Sequence, residues 1–213
     1  MTGVQTCALP IYACIELRGS GHVAEKNVLH DATDDGIFCD ASDTTLRQNK
    51  VRDVDAGLSV FSGAGNTLDR NKVKNAGSFG IHVTLAASDT TLTGNRIVKS
   101  GSIAGLFLES SGTSCEGDRI TRATGEGVRL EGGTSSFTDV RVARATGHGF
   151  RVGSDGNSFT SCRAMKGGED GFHVTGTLND FTGCKGKGNA GDDMADTGED
   201  NTITDCDFGT ISN

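Results

Sequence analysis

The feature that most constrains the fold of this chain is a repeat of about 22 residues. Aligning the chain on the residue that precedes Lys-Val, Arg-Ile or a related pair gives spacings of 22, 22, 24, 23, 22, 22, 22 and 22 residues. The aligned positions are Asn27, Asn49, Asn71, Asn95, Asp118, Val140, Cys162, Cys184 and Cys206. A unit of this length cannot bury an apolar face alone, so successive units must stack on one another. The repeat therefore predicts a solenoid.

Within each repeat, apolar residues recur with a period of two, which is typical of short β-strands. One column has the pattern Gly-apolar-x-apolar, at residues 80–83, 105–108, 127–130, 149–152 and 171–174. A second column has a large apolar side chain, at Leu46, Leu68, Leu92, Cys115, Phe137, Phe159, Phe181 and Ile203. A third column is Leu29, Val51, Val73, Ile97, Ile120 and Val142. Three inward columns per repeat, joined by corners rich in Gly and Asp, predict three stacked strands around one core.

The composition fits such a repeat better than an ordinary globular core. The chain has 32 Gly, no Trp, one Tyr and a hydrophobic fraction of only 34%. So little apolar material would suggest disorder in an irregular sequence, but a stacked repeat needs only a thin, periodic core. The length from Tyr12 onward predicts a single domain.

The repeat resembles the right-handed parallel β-helix of the pectate-lyase-like superfamily over essentially the whole chain from Cys14. The resemblance implies an all-β, right-handed parallel β-helix of about eight to nine coils with repeats of 22–24 residues. The column Asn27, Asn49, Asn71 and Asn95 resembles the internal asparagine ladder of that superfamily. The fold is shared by lyases, hydrolases, epimerases and phage tail spikes, so it does not specify a function.

The cysteines of the repeats are predicted to be reduced. Five of them, Cys39, Cys115, Cys162, Cys184 and Cys206, lie on inward columns, where a free thiol behaves as a small hydrophobic group. In the later coils the ladder position is occupied by Cys162, Cys184 and Cys206. The pattern therefore predicts a stack of thiols that continues the asparagine ladder.

The first 11 residues, MTGVQTCALPI, differ from the rest of the chain. They contain the only proline and no charged side chain. Residues 2–11 resemble, letter for letter, the translated constant end of a short-read sequencing adapter. Residues 1–11 are therefore predicted to be a non-native scar, and residues 12–213 a single β-helix domain shortened at its N-terminus, as in a metagenomic fragment. The protein is predicted to be extracellular or periplasmic, with its signal peptide lost, and no window reaches the ~20 apolar residues of a membrane span.

Polar side chains occupy the outward positions around the glycine of each repeat. Glu126, His148 and Asp170 precede successive glycines, and Asp192 has the same position on the next coil, at steps of about 4.8 Å along a solenoid. A uronate lyase or C5-epimerase needs a cation beside the sugar carboxylate, a base for the C5 proton and an acid. The predicted catalytic residues are Glu126, Arg129, His148, Arg151, Asp170 and His173. The alternative is that repeated acids and arginines only form exposed pairs that keep the surface soluble.

A second outward column consists of cations. It runs through Lys50, Lys72, Arg96, Arg119, Arg141, Arg163 and Lys185, and would form a stripe roughly 30 Å long. An acidic polysaccharide is the predicted partner, with Lys72, Arg96, Arg119, Arg141 and Arg163 as substrate-binding residues. Nucleic acid is not expected, because the net charge is −8 and no aromatic residues interleave the cations. Alternatively, the aliphatic stems merely cover the sheet while their charged ends stay in water.

Two further interpretations concern metal binding and hydrolysis. Asp170, Asp192, Asp193 and Asp196 offer hard oxygen ligands on neighbouring coils, so calcium is a possible cofactor. Residues 147–154 and 191–195 resemble the Gly-His-Gly and Gly-Asp-Asp strands of polygalacturonases, although in the reverse order. The function therefore stays open between a uronate lyase or C5-epimerase, a polygalacturonase-like hydrolase, and a non-catalytic spike, adhesin or carbohydrate-binding scaffold.

Overall fold

The computed structural model describes residues 4–6 and 13–212. All the regular elements of this part are β-strands, and the strands of successive coils pair in parallel. One face of the solenoid is a nine-stranded sheet, so the chain makes about nine coils. The predicted all-β parallel solenoid of eight to nine coils is therefore confirmed.

Each coil contributes one strand to each of three faces, named here sheets 1, 2 and 3 in the order of the repeat. Sheet 1 contains Val4–Thr6, Val28–His30, Arg96–Val98, Arg119–Thr121, Arg141–Ala143, Arg163–Met165 and Lys185–Lys187. Sheet 2 contains Ala13–Ser20, Asp35–Ser42, Ala104–Leu108, Glu126–Leu130, Phe150–Val152, Phe172–Val174, Met194–Asp196 and Ile211–Ser212, with Ala87–Ser88 at one side. Two long strands, Lys50–Ala64 and Lys72–Val83, run through both sheets and join them.

Sheet 3 is continuous and regular. Its strands are Val23–Glu25, Thr45–Arg47, Thr67–Asp69, Thr91–Thr93, Ser114–Glu116, Ser136–Thr138, Ser158–Thr160, Asp180–Thr182 and Thr202–Thr204. The middle residue of all but the last of these strands is buried. Sheet 3 therefore supplies one complete wall of the core.

The predicted adapter-derived segment, residues 1–11, lies outside the described residues except for Val4–Thr6, which pair in parallel with Val28–His30. Over residues 4–6 and 13–212 there is no helix with the length and apolar character needed to cross a membrane.

The core is built from apolar side chains stacked on successive coils, and in two columns the stacked residues include successive phenylalanines. Phe137, Phe159 and Phe181 pair in register, with ring centroids 4.8 and 4.7 Å apart. Phe150 and Phe172 stack in the same way at 4.6 Å and meet the first column edge-on. The in-register stacking of residues 22 apart, on which every predicted column depends, is confirmed.

The asparagine ladder is also present. The side-chain amide of Asn27 donates to Asn49 Oδ1 at 2.9 Å, that of Asn49 to Asn71 at 3.0 Å, and that of Asn71 to Asn95 at 3.0 Å. Asn95 in turn donates to Asp118 Oδ1 at 2.9 Å. Buried amides that bond in this way leave few polar groups without a partner, which is what a buried corner requires.

The ladder continues as thiols, as predicted. Cys39, Cys115, Cys162, Cys184 and Cys206 are free, whereas Cys14 is disulfide-bonded, which the sequence analysis did not predict. The backbone N–H of Cys184 donates to Cys206 Sγ at 3.2 Å. Burial raises the pKa of Cys206 to about 11, so its thiol stays protonated at neutral pH.

A second polar ladder was not predicted. It follows the position two residues before the large apolar residue of sheet 3. The side-chain amide of Asn157 donates to Asn179 Oδ1 at 2.9 Å. The backbone N–H of Ser135 donates to Asn157 Oδ1, and that of Asn179 donates to Asn201 Oδ1. The sequence signal was the Asn, Thr or Ser that recurs at this position.

The glycine that precedes each apolar pair of sheet 2 is required by close packing between coils. In Gly105→Ala the added Cβ would lie 2.5 Å from Ile120 Cγ2 and 2.9 Å from the carbonyl oxygen of Gly127. Because overpacking of this kind costs about 1–3 kcal/mol, we expect that loss in the free energy of unfolding, measured by urea denaturation. Gly153→Ala is the matched control, since its nearest neighbour would lie 3.6 Å away. Equal losses in the two variants would contradict the packing argument.

Candidate functional site

The predicted catalytic residues lie together on the outer face of sheet 2. Arg129, Arg151 and His173 are direct partners on three successive coils. A parallel row beside these residues consists of Glu126, His148, Asp170 and Asp192. The backbone N–H of the glycine that follows each of the first three donates to the backbone carbonyl of the row member on the next coil. These carbonyls belong to His148, Asp170 and Asp192, at 2.9, 2.9 and 2.7 Å. The repeat thus places acids, imidazoles and guanidinium groups within one surface.

Asp170 connects two histidines of this surface. Its Oδ2 lies 3.0 Å from His173 Nδ1, and its backbone N–H donates to His148 Nδ1 at 3.3 Å. The two imidazole rings stack with centroids 4.3 Å apart. Because Asp170 accepts the N–H on Nδ1 of His173, the Nε2 of a neutral His173 carries the lone pair. This is the geometry of a base oriented by a carboxylate.

Glu169 belongs to the same cluster, although it was not predicted. Its Oε2 lies 3.0 Å from His148 Nε2, and its side chain is more than half exposed. The predicted row occupies the position directly before the glycine of the repeat, and Glu169 is one position earlier. The local signal was the pair Glu-Asp in a repeat whose neighbours have Gly-His and Gly-Asp at the same two positions.

Glu126 lies between two arginines. Its Oε1 is 3.6 Å from Arg151 Nη1, and its Oε2 is 4.0 Å from Arg129 Nε. Arg129 also bonds Glu131 and lies over the ring of Phe107, 5.0 Å from its centroid. The carboxylate of Glu126 is mostly buried, and within the described part of the chain its Oε2 has no hydrogen-bond partner. Arg129 is therefore paired closely with Glu131, whereas among the described residues Arg151 has only the 3.6 Å contact with Glu126.

Burial shifts two pKa values in this cluster. It raises the pKa of Glu126, against the opposing effect of Arg151 and Arg129. Burial, assisted by the neighbouring His173, lowers the pKa of His148. A carboxyl that holds its proton more easily, beside an imidazole that stays neutral, is the kind of acid and base pairing found in active sites.

Of the four predicted calcium ligands, Asp170 and Asp192 lie on the outer row, whereas Asp193 and Asp196 form hydrogen bonds with neighbouring residues. The backbone N–H of Asp192 donates to Asp170 Oδ1 at 2.8 Å, so these two residues are neighbours on the outer row. Asp193 is buried, and its carboxylate accepts bonds from Asn189 at 2.8 Å and from the backbone at Gly209.

The fourth ligand, Asp196, is likewise engaged within its own coil. Its Oδ1 accepts bonds from Asn201 at 2.8 Å and from the N–H of Gly198. In the described residues, the donor groups that converge within 4.8 Å are those of His148, Asp170 and His173. Two nitrogens and one oxygen suit calcium poorly, because that ion prefers oxygen ligands throughout. The four carboxylates are thus not preassembled, and a calcium site there stays a prediction.

The predicted substrate-binding cations form a continuous column, but on sheet 1. The column pairs in register from Lys50 to Lys185 through Lys72, Arg96, Arg119, Arg141 and Arg163. Arg141 is paired with Asp139 at 2.9 Å. The corner that joins sheets 1 and 2 separates this column from the cluster around Asp170. The predicted binding and catalytic residues therefore belong to two surfaces rather than one.

The first coils of sheet 2 are aromatic. Phe79, His82 and Phe107 stack on one another, with centroids 4.6, 5.5 and 5.0 Å apart. Phe107 lies on the outer face, but only 8% of it is exposed because Phe79, His82 and Arg129 cover its ring. Phe79 was not singled out, since it occupies a row that is mostly polar elsewhere.

An acidic depression adjoins these rings. Phe38 and Phe61 line it, with centroids 5.3 Å apart, together with Asp35 and Ser59. The hydroxyl of Ser59 donates to Asp35, and burial raises the pKa of that carboxyl to about 6. The outer face of sheet 2 therefore changes from aromatic and acidic to mixed charge along the solenoid axis.

Comparisons with known proteins agree with this architecture. Residues 10–139 match the family model described as the right handed beta helix region. No curated protein sequence matches the chain. Similar solved structures include the catalytic unit of a thermostable GH87 α-1,3-glucanase from Streptomyces thermodiastaticus strain HF3-3, with a TM-score of 0.63 at 11% identity. That alignment covers 92% of this chain and 50% of the glucanase unit, so the chain spans about half its length.

Two other structures have comparable similarity. An alginate lyase from Paenibacillus sp. str. FPU-7 has a TM-score of 0.59 at 9% identity, covering 100% of this chain and 91% of the lyase. The periplasmic alginate epimerase AlgG has a TM-score of 0.60 at 12% identity, and the alignment covers 89% of this chain and 61% of the epimerase. Such low identities show a shared fold alone, whereas the family model covers more than half of the sequence. The chain belongs to the right-handed β-helix family.

Proposed function

We propose that this protein acts on an acidic polysaccharide by uronate lyase or C5-epimerase chemistry at the outer face of sheet 2. The observation that carries the proposal is the Asp170–His173 pair at 3.0 Å, directly beside Arg151 on the preceding coil. Similar folds in an alginate lyase and an alginate epimerase support the substrate class. Export to the periplasm or the cell exterior is part of the same proposal, since such polymers lie there.

Arg151 and Arg129 are suited to binding the carboxylate of a uronate. Both belong to the row that continues into His173, and Arg151 is about 42% exposed. Neutralising that carboxylate makes the hydrogen on C5 more acidic, because the charge that develops on removal of the proton is stabilised. The arginines thus prepare the substrate for the base.

His173 then takes the C5 proton on Nε2, while Asp170 holds Nδ1 and stabilises the imidazolium. In a lyase, the electron pair of the broken C5–H bond forms a C4–C5 double bond and expels the glycosidic oxygen from C4. In an epimerase, a proton returns to C5 from the opposite side of the ring. Glu126, whose pKa is raised, supplies the acid in either case. His148 stacks on His173 and acts as a positioning residue.

The test is a turnover assay on alginate, pectate and glycosaminoglycans. Lyase activity is measured by the ultraviolet absorbance of unsaturated uronate, and epimerisation by NMR of C5 inversion. His173→Ala and Arg151→Ala are each expected to lower kcat/KM by about a hundredfold or more, because each removes a group that acts in the transition state. His22→Ala and Arg47→Ala, several coils away from the cluster around Asp170, are the matched controls and are expected to change kcat/KM less than about twofold.

Three results would contradict the proposal. Unchanged turnover in His173→Ala or Arg151→Ala would mean that the residues are wrongly assigned. New reducing ends without unsaturated product would instead indicate a hydrolase, and binding without any turnover would indicate a non-catalytic spike or scaffold.

A further inference from the structure

The outer face of sheet 1 has a second row of cations in four consecutive coils. The first row is Arg96, Arg119, Arg141 and Arg163. Three residues further along each coil lie Lys99, Arg122, Arg144 and Lys166, all exposed. Their coils are in register, because the backbone N–H of each of the first three donates to a backbone carbonyl of the next coil. The acceptors are the carbonyl oxygens of Thr121, Ala143 and Met165, at 2.9, 2.9 and 3.0 Å. These eight cations and the residues between them are called the cationic track.

The floor of the track is small and neutral. Between the two rows lie Val98, Thr121, Ala143 and Met165, all partly buried. A depression runs over three coils, lined by Arg119, Thr121, Arg141, Ala143, Arg163 and Met165. The first row and the neutral floor form this depression, and the second row lies directly beyond the floor. The four coils extend over about 15 Å along the solenoid axis by the spacing of strands.

Local backbone preference does not explain the second row. Lys99, Arg122, Arg144 and Lys166 have φ values of 52°, 59°, 59° and 57°, in the left-handed region that favours Gly, Asn and Asp. The same corner in the three earlier coils does have such residues, namely Asp31, Asp53 and Asn75. The change to four consecutive cations therefore goes against the conformational preference and calls for another reason.

Ion pairing does not explain the track either. Of its eight cations, only Arg141 forms an ion pair with any residue the structure describes, through Asp139. A run of seven uncompensated cations is unexpected in a chain with a net charge of −8. Exposed like charges on adjacent coils repel one another, and a bound polyanion would remove that repulsion.

We propose that the cationic track binds a linear anionic polysaccharide and forms a second site, separate from the cluster on sheet 2. It depends on the proposed function only for the class of polymer. Its cations recur once per coil, about every 4.8 Å, a spacing suited to a polymer with one acidic group per sugar. Each strand of a nucleic-acid duplex has a phosphate every ~3.4 Å along the helix axis. The bases of a single strand stack on aromatic side chains. In the described residues the track has no aromatic side chain.

The test is the binding of end-labelled alginate, followed by fluorescence anisotropy over a series of salt concentrations. Arg122→Glu combined with Arg144→Glu is expected to weaken binding about tenfold or more and to reduce its salt dependence, because two ionic contacts are lost. Lys26→Glu combined with Arg70→Glu is the matched control. Those residues are also exposed, have φ of 56° and 52°, and lie at the corner between sheets 3 and 1.

The proposal would be overturned if the control variant lost as much alginate affinity as the track variant, or if the track variant lost none. Single-stranded DNA of equal charge is the second probe. Tighter binding of DNA than of alginate, lost in the same track variant, would identify a nucleic-acid site and also reject the polysaccharide. Thermal unfolding of each variant verifies that the coils remain folded.

Turnover measured on the same proteins separates this proposal from the proposed function. Track-dependent binding without turnover in the wild type would contradict the reaction at sheet 2 and support the track. Turnover without any track-dependent binding would support the reaction at sheet 2 and contradict the track.

Discussion

Asp118→Asn is expected to stabilise the protein by up to about 4 kcal/mol above about pH 7, and to have little effect below about pH 4. Asp118 ends the asparagine ladder, where its Oδ1 accepts bonds from the backbone and side chain of Asn95 at 2.6 and 2.9 Å. Its other oxygen, Oδ2, is buried and has no hydrogen-bond partner among the described residues. Burial accordingly raises the pKa of Asp118 from 3.8 to about 7.

An asparagine suits this position better than a carboxylate. The amides of Asn49, Asn71 and Asn95 each donate a second bond to a backbone carbonyl of an earlier coil, at 2.9, 2.8 and 2.8 Å. A charged Asp118 has no proton to donate and is costly to bury. An amide keeps the acceptor for Asn95 and restores a donor.

The direction of the pH effect follows from the two pKa values. Because the pKa in the folded state is above that in the unfolded state, the folded protein binds more protons between them. Stability therefore falls as the pH rises through this window, and the full penalty of Asp118 is reached above about pH 7. Asp35, with a pKa raised to about 6, acts in the same direction in both proteins and cancels in the comparison.

Urea unfolding at a series of pH values measures the effect. Asn71→Asp is the converse variant, because it places a carboxylate inside the ladder and is expected to create the same loss at high pH. If the profiles of the wild type and Asp118→Asn differ by a constant amount at every pH, the assignment to Asp118 is wrong.

Phe159→Ala is expected to lower the free energy of unfolding by about 3–5 kcal/mol, as for other buried aromatic truncations. Phe159 is completely buried at the centre of the column, between Phe137 and Phe181 at 4.8 and 4.7 Å, and Phe150 meets its edge at 6.1 Å. Since each coil contacts only its neighbours, the cavity also weakens the coupling between the two halves of the solenoid. A smaller denaturant m-value or a second transition is therefore expected.

Phe61→Ala is the matched control for this truncation. It removes the same side chain at a position that is 49% exposed, where Phe38 is a ring neighbour. We expect a loss of about 1 kcal/mol or less, because little buried surface is removed. Similar losses for the two variants would contradict the central role of the phenylalanine column.

The columns could be predicted because a solenoid converts sequence period into spatial contact. Residues 22 apart become neighbours whatever their side chains are, so the Phe137, Phe159 and Phe181 stack and the Asn27 to Asn95 ladder could be read directly. The row of Glu126 and its counterparts follows from the same rule. Parallel pairing in register then explains why the two arginines and His173 lie side by side.

Side-chain direction could not be read in this way. Asp193 and Asp196 lie on the coil predicted for them, but their carboxylates bond Asn189 and Asn201 of that coil. Phe107 faces outward, yet it is buried because Phe79 and His82 stack beside it. Each outcome depends on which rotamer the neighbouring coil leaves room for, and the repeat contains no information about that choice.

The sequence by itself determined the fold and the neighbours of each residue, because one strand spacing applies along the entire axis. Only the tertiary structure decided which neighbours interact. It paired Asp170 with His173, and it placed Lys99 to Lys166 beside the first cation row through left-handed corners. The physical reason is that register is a property of the backbone ladder, whereas pairing depends on corner geometry and rotamers, which differ from coil to coil.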